Sequence, residues 1–246
     1  MRIKKNIVLR NIPKVEIQLD LWPYQITGGF RGFSSVHRGL HFITFQDKGE
    51  TIFEWLFISN ETIVKQYDHE NLKLVDSEID GDFNYIELAD SGLMSENLIA
   101  HPSEASRQWL ALTSYITVEN FNLIRVNPSM DFIRNNKTEY ILAHYQTSYV
   151  KMILVPSKNR NTQDWGNWIL WIEFFHQFSS GDIKSNKDLF KELIELFIIQ
   201  FTILPEDYRS EVQSIVKNSI KLIQNMEETE DVDLILKANR YKFFHF

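Results

Sequence analysis

The stretch Leu40-His41-Phe42-Ile43-Thr44-Phe45-Gln46-Asp47-Lys48-Gly49-Glu50-Thr51-Ile52-Phe53-Glu54-Trp55-Leu56-Phe57-Ile58 decides the fold class of the first half of the chain. Leu40 to Phe45 and Thr51 to Ile58 are dense in aromatic and β-branched residues, which pack well on a pleated surface. Asp47-Lys48-Gly49 between them is a short turn signal. Asn60-Glu61 breaks the second run, and Thr62 to Tyr67 resumes it. Three strand-like runs joined by short turns predict an antiparallel meander. Upstream, Val15, Ile17, Leu19 and Leu21 alternate with polar residues, the period of two of a half-buried strand. Such a sheet must bury its apolar face against a second layer, so a β-rich, sandwich-like domain is expected here.

Downstream the pattern changes. Asp68, Glu70, Asp76, Glu78, Asp80, Asp82, Glu87, Asp90 and Glu96 face only Lys73 between residues 68 and 96, with Leu72, Leu74, Phe83, Tyr85, Ile86 and Leu88 interleaved. This reads as a solvated connection with short strands. Ser103 after His101-Pro102 is placed to cap a helix carrying Trp109, Leu110, Leu112, Thr113 and Ile116. Thr117 is placed to cap a short helix with Phe121 and Ile124. Tyr140 to Val155 reads as strand-like, between Asn127-Pro128 and the polar Ser157 to Gln163. Beyond it, Trp165, Trp168, Ile169, Trp171, Ile172, Phe174, Phe175 and Phe178 are apolar on nearly every face of a helix, the mark of a buried one. Gly181 fits its stop, and Ser185 with Asp188 has capping-box spacing. Phe190, Leu193, Ile194, Phe197 and Phe201 stripe the next helix. Pro205 suits the first turn of another, with Tyr208, Val212, Ile215, Val216, Ile220 and Ile223. The expectation is an α+β chain: a β-rich domain over 1–126 with terminal helices, a linker with a strand-like segment over 127–162, and an all-α domain over 163–246 ending in an aromatic tail.

The 246 residues are 43% apolar and 24% charged, ordinary for a globular chain. There is no Cys, which excludes a disulfide framework, a thiolate zinc site and a Cys nucleophile, and fits a reducing compartment. The net charge of -7 argues against a sequence-independent grip on nucleic acid, which needs a basic field. No apolar run approaches the ~18 residues of a membrane span, and Met1-Arg2-Ile3-Lys4-Lys5 is not followed by a signal-peptide core. A soluble chain of the cytoplasm or nucleus is expected, with no membrane partner.

Catalytic signatures are sparse. Gly28-Gly29-Phe30-Arg31-Gly32 lacks the strand-then-helix setting of a phosphate cradle and reads as a loop needing positive φ. His37 and His41 have the four-residue spacing of a helical metal pair, but Gly39 separates them and no third ligand is apparent; His41 is expected to hydrogen-bond within a sheet edge. The acids between Asp76 and Asp90 are too dense and interrupted for a tuned acid–base pair and read as a solvated face. An enzyme reading would need His37, His41 and the acids near Asp80 in one pocket. We expect no enzyme, cofactor or metal. The stripe from Trp165 to Phe178 reads as helical core before partner surface. Tyr241, Phe243, Phe244 and Phe246 crowd the chain end, where sequence is usually polar. They are the candidate partner-binding residues, either docking in cis or adding a strand to a partner's sheet edge.

The run Asp20-Leu21-Trp22-Pro23-Tyr24-Gln25-Ile26-Thr27-Gly28-Gly29-Phe30-Arg31-Gly32-Phe33-Ser34-Ser35-Val36-His37-Arg38-Gly39-Leu40-His41-Phe42 resembles the N-terminal signature of the A-one cistron splicing factor (Aar-two) family. Asp20, Tyr24, Phe30, Arg31, Gly32, Gly39, Leu40, His41 and Phe42 fall in its register. Trp109, Leu112, Thr113 and Ile116 resemble its Trp-x-x-Leu-Thr-x-x-Ile segment, and Leu204, Pro205, Glu206 and Tyr208 its Leu-Pro-Glu-x-Tyr segment. His37-Arg38 stands where Pro-Pro is usual, and the helical domain reads as shorter than in typical members. The resemblance implies structural roles for Asp20, Phe30, Gly32, Gly39, His41, Phe42, Trp109, Leu112, Thr113, Leu204, Pro205 and Tyr208. It also implies a non-enzymatic chaperone for mRNA splicing that acts in U5 snRNP assembly. The implied partner is the spliceosome's large scaffold protein, through its RNase-H-like and Jab/MPN domains, with no direct nucleic acid. The alternative is a divergent, even prokaryotic, relative with the same fold and an unrelated protein partner.

Overall fold

A computed structural model describes residues 4–77, 79–80, 83–121, 127–154, 162–204, 208 and 221–245. The chain is α+β and divides into two compact units, Met1–Leu110 and Ala111–Phe246.

The first unit is built on two sheets. Strands β1 (Lys4–Arg10), β2 (Glu16–Leu19), β3 (Trp22–Gln25), β4 (Gly32–His37), β5 (Gly39–Asp47), β6 (Glu50–Ile58), β7 (Ile63–Asp68) and β8 (Lys73–Asp76) come first. The pair β9 (Ile79–Asp80) and β10 (Phe83–Asn84), helix α1 (Tyr85–Asp90) and strand β11 (Leu98–Ala100) follow. The four-stranded sheet runs β3-β2-β5-β6 and the five-stranded sheet β11-β4-β1-β7-β8. Ile17, Leu19, Ile43, Phe45, Ile52, Leu56 and Ile58 from one sheet share a core with Ile7, Leu9, Phe33, Val36, Tyr67 and Leu74 from the other, so the sandwich-like expectation holds.

The β5–β6 hairpin is as read. Its register runs from Gly39 opposite Ile58 to Asp47 opposite Glu50. Lys48 and Gly49 take φ of 51° and 79°, the two positive values of a two-residue turn that matches strand twist. The meander does not continue. β7 leaves the hairpin and pairs in parallel with β1, Ile7 opposite Ile63, and antiparallel with β8. The break at Asn60-Glu61 is a change of sheet. β1 buries Ile7, Val8 and Leu9 in succession, as a central strand covered on both faces does. Val8 and Val64 face Ala89 and Met94, so α1 and the turn after it cover the outer face of the five-stranded sheet. Part of the acidic stretch is thus a helix, capped by Asn84, whose side chain accepts from Ile86 and Glu87 N–H. On the other sheet β3 is an edge strand and carries Pro23, a residue that suits edges because it has no N–H to offer.

Helix α2 (Ser103–Thr113) begins one residue earlier than read. Ser103 is its first residue, and Ser106 N–H bonds the Pro102 carbonyl. Thr117 does cap α3 (Val118–Phe121): Asn120 N–H reaches Thr117 Oγ1 and Asn120 Oδ1 accepts Thr117 N–H.

The second unit continues with α4 (Met130–Asn135), α5 (Thr138–Leu154), α6 (Thr162–Phe175), α7 (Ser180–Ser185) and α8 (Lys187–Ile203), then a helical stretch over 221–227 and a terminal helix, Val232–His245. The strand-like reading of Tyr140 to Val155 is corrected. Through Leu154 the segment is α5, and Ile141, Leu142, Tyr145, Tyr149 and Met152 bury one helical face, while Val155 lies outside the described residues. α5 packs on α6 and α8. α6 stops at Phe175, not at Gly181. The capping box belongs to Ser179 and Asp182 at the start of α7, whereas Asn186 precedes α8 without a side-chain cap. Leu204 is buried, and Pro205, Val212, Ile215, Val216 and Ile220 lie outside the described residues, as do Ile124 and Ser157 to Asn161 of the expected boundary.

The core here is aromatic and contains a polar thread. Trp168 Nε1 donates to Gln200 Oε1 at 3.0 Å and lies 3.3 Å from the Tyr145 hydroxyl, while Tyr149 O–H donates to the Gln200 carbonyl at 2.7 Å. Buried Gln146 accepts from Tyr115 N–H at 2.9 Å and donates to the Ala111 carbonyl at 3.3 Å, an acceptor that the end of α2 leaves without a helical partner. Among the described residues no helix is long and apolar enough to cross a membrane.

Candidate functional site

The N-terminal motif residues converge on Asp20. This residue follows β2 in a left-handed turn, φ 59°, which Asp tolerates better than bulkier residues. Its carboxylate is buried. Oδ1 accepts Phe42 N–H at 2.9 Å, and Asp20 N–H donates to the Phe42 carbonyl at 2.7 Å. Asp20 therefore continues the β2–β5 ladder one step beyond Leu19 opposite Ile43. Oδ2 faces His41 Nδ1 at 2.9 Å.

His41 Nε2 in turn meets the His37 carbonyl at 2.7 Å. Both ring nitrogens thus face acceptors, and only the doubly protonated imidazolium satisfies both. Burial opposes that charge, but the Asp20 carboxylate and the hydrogen bonds from Asp20 and His37 outweigh it, and the His41 pKa is raised. The sheet-edge bond expected for His41 is instead a buried ion pair.

A second histidine completes the cluster. His101 precedes α2; its N–H bonds the Ser34 carbonyl and its Nδ1 accepts the Tyr24 O–H at 2.6 Å. That leaves the proton of the neutral ring on Nε2, 3.7 Å from Asp20 Oδ2. Burial first, with His41 and His37 adding to it against the pull of Asp20, pushes the His101 pKa down to about 4. Burial and the Asp20 charge raise the Tyr24 pKa, which keeps the hydroxyl a donor. The hydrogen bonds are mutually consistent: His41 is set between two acceptors, and His101 accepts from Tyr24.

The neighbouring motif residues serve the same corner. Trp109 Nε1 donates to the Leu40 carbonyl. Phe30 packs its ring against Phe33 at 5.3 Å. Gly32, φ 132°, lies against β1 so closely that a β-carbon would stand 1.9 Å from the Ile7 oxygen. Gly39, φ 122°, makes the turn from β4 to β5. The reading of the Gly28 to Gly32 run as a positive-φ loop holds at Gly29 and Gly32. In the second unit, Leu112, Thr113 and Leu204 are buried and Tyr208 is half-buried.

Chemically, this arrangement ties β2 to β5 through a buried side chain, with both His41 ring nitrogens engaged by Asp20 Oδ2 and the His37 carbonyl. The His37–His41 metal reading finds no third ligand: no group of three or more Asp, Glu or His among the described residues could hold an ion. Sequence reasoning brought Asp20, His41 and Phe42 together but left His101 as one of several scattered histidines. Its signal was faint, a His-Pro step just before a helix start.

The tail is helical. The backbone of 241–245 belongs to the terminal helix, so in this structure it is not a strand ready to extend a sheet. The helix docks in cis on α8, with Leu234 and Ala238 buried, Lys191 beside Asp231 and Asp233 at 3.3 and 3.2 Å, and Glu195 beside Lys237 and Arg240 at 3.4 and 3.0 Å. Phe246 and the side chains of Tyr241, Phe243 and Phe244 lie outside the described residues.

The chain thus joins a sandwich-like unit, whose motif residues are buried in a hydrogen-bonding network, to a helical unit. The family model for the AAR2 N-terminal domain matches residues 4–128. The chain belongs to the AAR2 family, a family of non-catalytic, splicing-related assembly factors. Comparison with curated proteins returns no match.

Proposed function

We propose that this chain is a non-enzymatic chaperone of U5 snRNP assembly that binds the large spliceosomal scaffold protein through that protein's RNase-H-like and Jab/MPN domains. The observation that carries the reading is the match over residues 4–128, whose motif residues meet in the Asp20–His41–His101 cluster. The charge of -7 supports a protein partner with basic surface, since complementary charge steers encounter. It favours a role without direct nucleic-acid contact. Tyr241, Phe243, Phe244 and Phe246 are proposed to contribute to the partner surface, and the site of action to be the cytoplasm or nucleus.

The test is calorimetric titration of the full chain with the two purified scaffold domains, separately and together. A saturable complex supports the reading, and heats no larger than dilution remove it. An unrelated protein partner is the second reading. It is favoured by His37-Arg38 in place of the usual Pro-Pro and predicts a folded chain that ignores both domains. Removing residues 241–246 is expected to weaken scaffold binding about tenfold while lowering the melting temperature little, because chain ends contribute little to a core. An unchanged binding constant with a lower melting temperature assigns the tail to the fold.

A further inference from the structure

The outward face of α6 carries a groove, and we propose that it takes a basic side chain, arginine or lysine, presented on an extended segment of a protein partner. The helix is nearly apolar all round, and Trp168, Trp171, Ile172 and Phe175 are buried as such a helix requires. Leu170 departs from this and is 46% exposed. It lines an open groove of about 370 Å³ together with Asn127, Pro128, Glu173, Phe174 and Gln177. The Phe174 ring is fixed by Trp171, Phe175 and Phe178, with centroids 6.5, 5.8 and 5.2 Å away.

Charge selects the occupant. Glu173 is the one charged residue among those lining the groove, is exposed, and makes no ion pair among the described residues. An arginine or lysine stem can lie along Leu170 and Phe174 while its cationic head meets the Glu173 carboxylate and the Phe174 ring face. A purely apolar occupant would strip water from Glu173 with nothing in return, and an acidic one would be repelled. The volume suits one or two side chains and not a folded element.

This rests on the reading of the chain as a partner-binding protein and names where on the helical unit that binding occurs. The test uses the full chain with labelled Leu methyls and Trp indoles, titrated with the peptide GSLRLSG or its counterpart GSLELSG. The arginine peptide is expected to shift the Leu170 methyls and the Trp171 indole saturably, and the glutamate peptide to leave them in place. Glu173→Gln is expected to weaken the arginine peptide about fivefold and Glu173→Lys more than about tenfold, with unchanged melting temperatures. Equal shifts from both peptides, no shift from either, or unchanged affinity in both variants overturns the groove. The two readings separate cleanly. A chain that binds the arginine peptide but neither scaffold domain keeps the groove and removes the U5 partner. A chain that binds the scaffold domains with full affinity after Glu173→Lys and Leu170→Asp keeps the partner and removes the groove.

Discussion

A β-carbon on Gly32 would stand 1.9 Å from a backbone oxygen, and backbone cannot swing aside as a flexible side chain can. Gly32→Ala is therefore expected to cost about 4 kcal/mol or more, enough to unfold the first unit, read as loss of its share of the denaturant melt. Asp20→Ala removes one member of a buried pair and leaves the His41 imidazolium and the Phe42 N–H without their acceptor. Its expected cost is about 3–5 kcal/mol, measured by urea unfolding. The two histidines respond to pH in opposite directions. His41, with a raised pKa, contributes stability that is complete below pH ~6.5 and is lost as pH rises through its folded value. His101, with its pKa pushed down to about 4, does the reverse: between pH ~6.5 and about 4 the unfolded chain takes a proton that the folded chain refuses. His176, also pushed down to about 4 by burial, acts in the same sense in the helical unit. Urea midpoints are thus expected to fall from pH 7 to pH 5, and less steeply in a His101→Phe, His176→Phe double variant. An identical slope in that variant would remove both assignments.

At the scale of elements, α6 and α8 are joined by a buried polar thread as well as by rings. Trp168→Phe removes one ring from a fully buried side chain and takes the donor from Gln200 Oε1, and Gln200 Nε2 already has no hydrogen-bond partner among the described residues. The expected loss is about 2–4 kcal/mol, a cavity cost added to that of a buried polar group left unsatisfied, read from the melt of the helical unit. The terminal helix is held differently, by partly exposed ion pairs over a small apolar contact. Glu195→Gln is expected to cost about 1 kcal/mol or less and to speed amide exchange in 232–240 without moving the exchange of α8. These elements also mark where the sequence was legible. The β5–β6 hairpin followed from its turn residues, because Lys48 and Gly49 act locally. α5 was misread because Tyr140, Ile141, Tyr145, Tyr149 and Val150 are strand-loving residues. The spacing Ile141, Tyr145, Tyr149, Met152 carried the helical period, and tertiary burial let period override propensity. β7 could not be placed, since its change of sheet is set by a distant partner in β1.

At the scale of the molecule, the family model ends at residue 128, beyond the first unit and α2. A fragment of residues 1–128 is expected to fold alone, with dispersed methyl signals and a cooperative melt; a molten fragment would mean the helical unit is needed to complete it. The candidate site was legible in part for a similar reason. Asp20, His41 and Phe42 sit in one motif and were found together, whereas His101 reaches them only through the return of β11 beside β4. That same architecture has a consequence in time. β1 leaves the ribosome before every other described strand, yet it ends as the middle of the five-stranded sheet, between β4 and β7. Its greasy triplet, Ile7, Val8 and Leu9, must wait for Ile63 to be synthesised before its parallel neighbour exists, and for Ala89 before its outer face is roofed. Local helical contacts close faster than such distant ones. The sheets, although encoded first, are then the slower half to mature, and the nascent chain carries an uncovered strand through most of their synthesis.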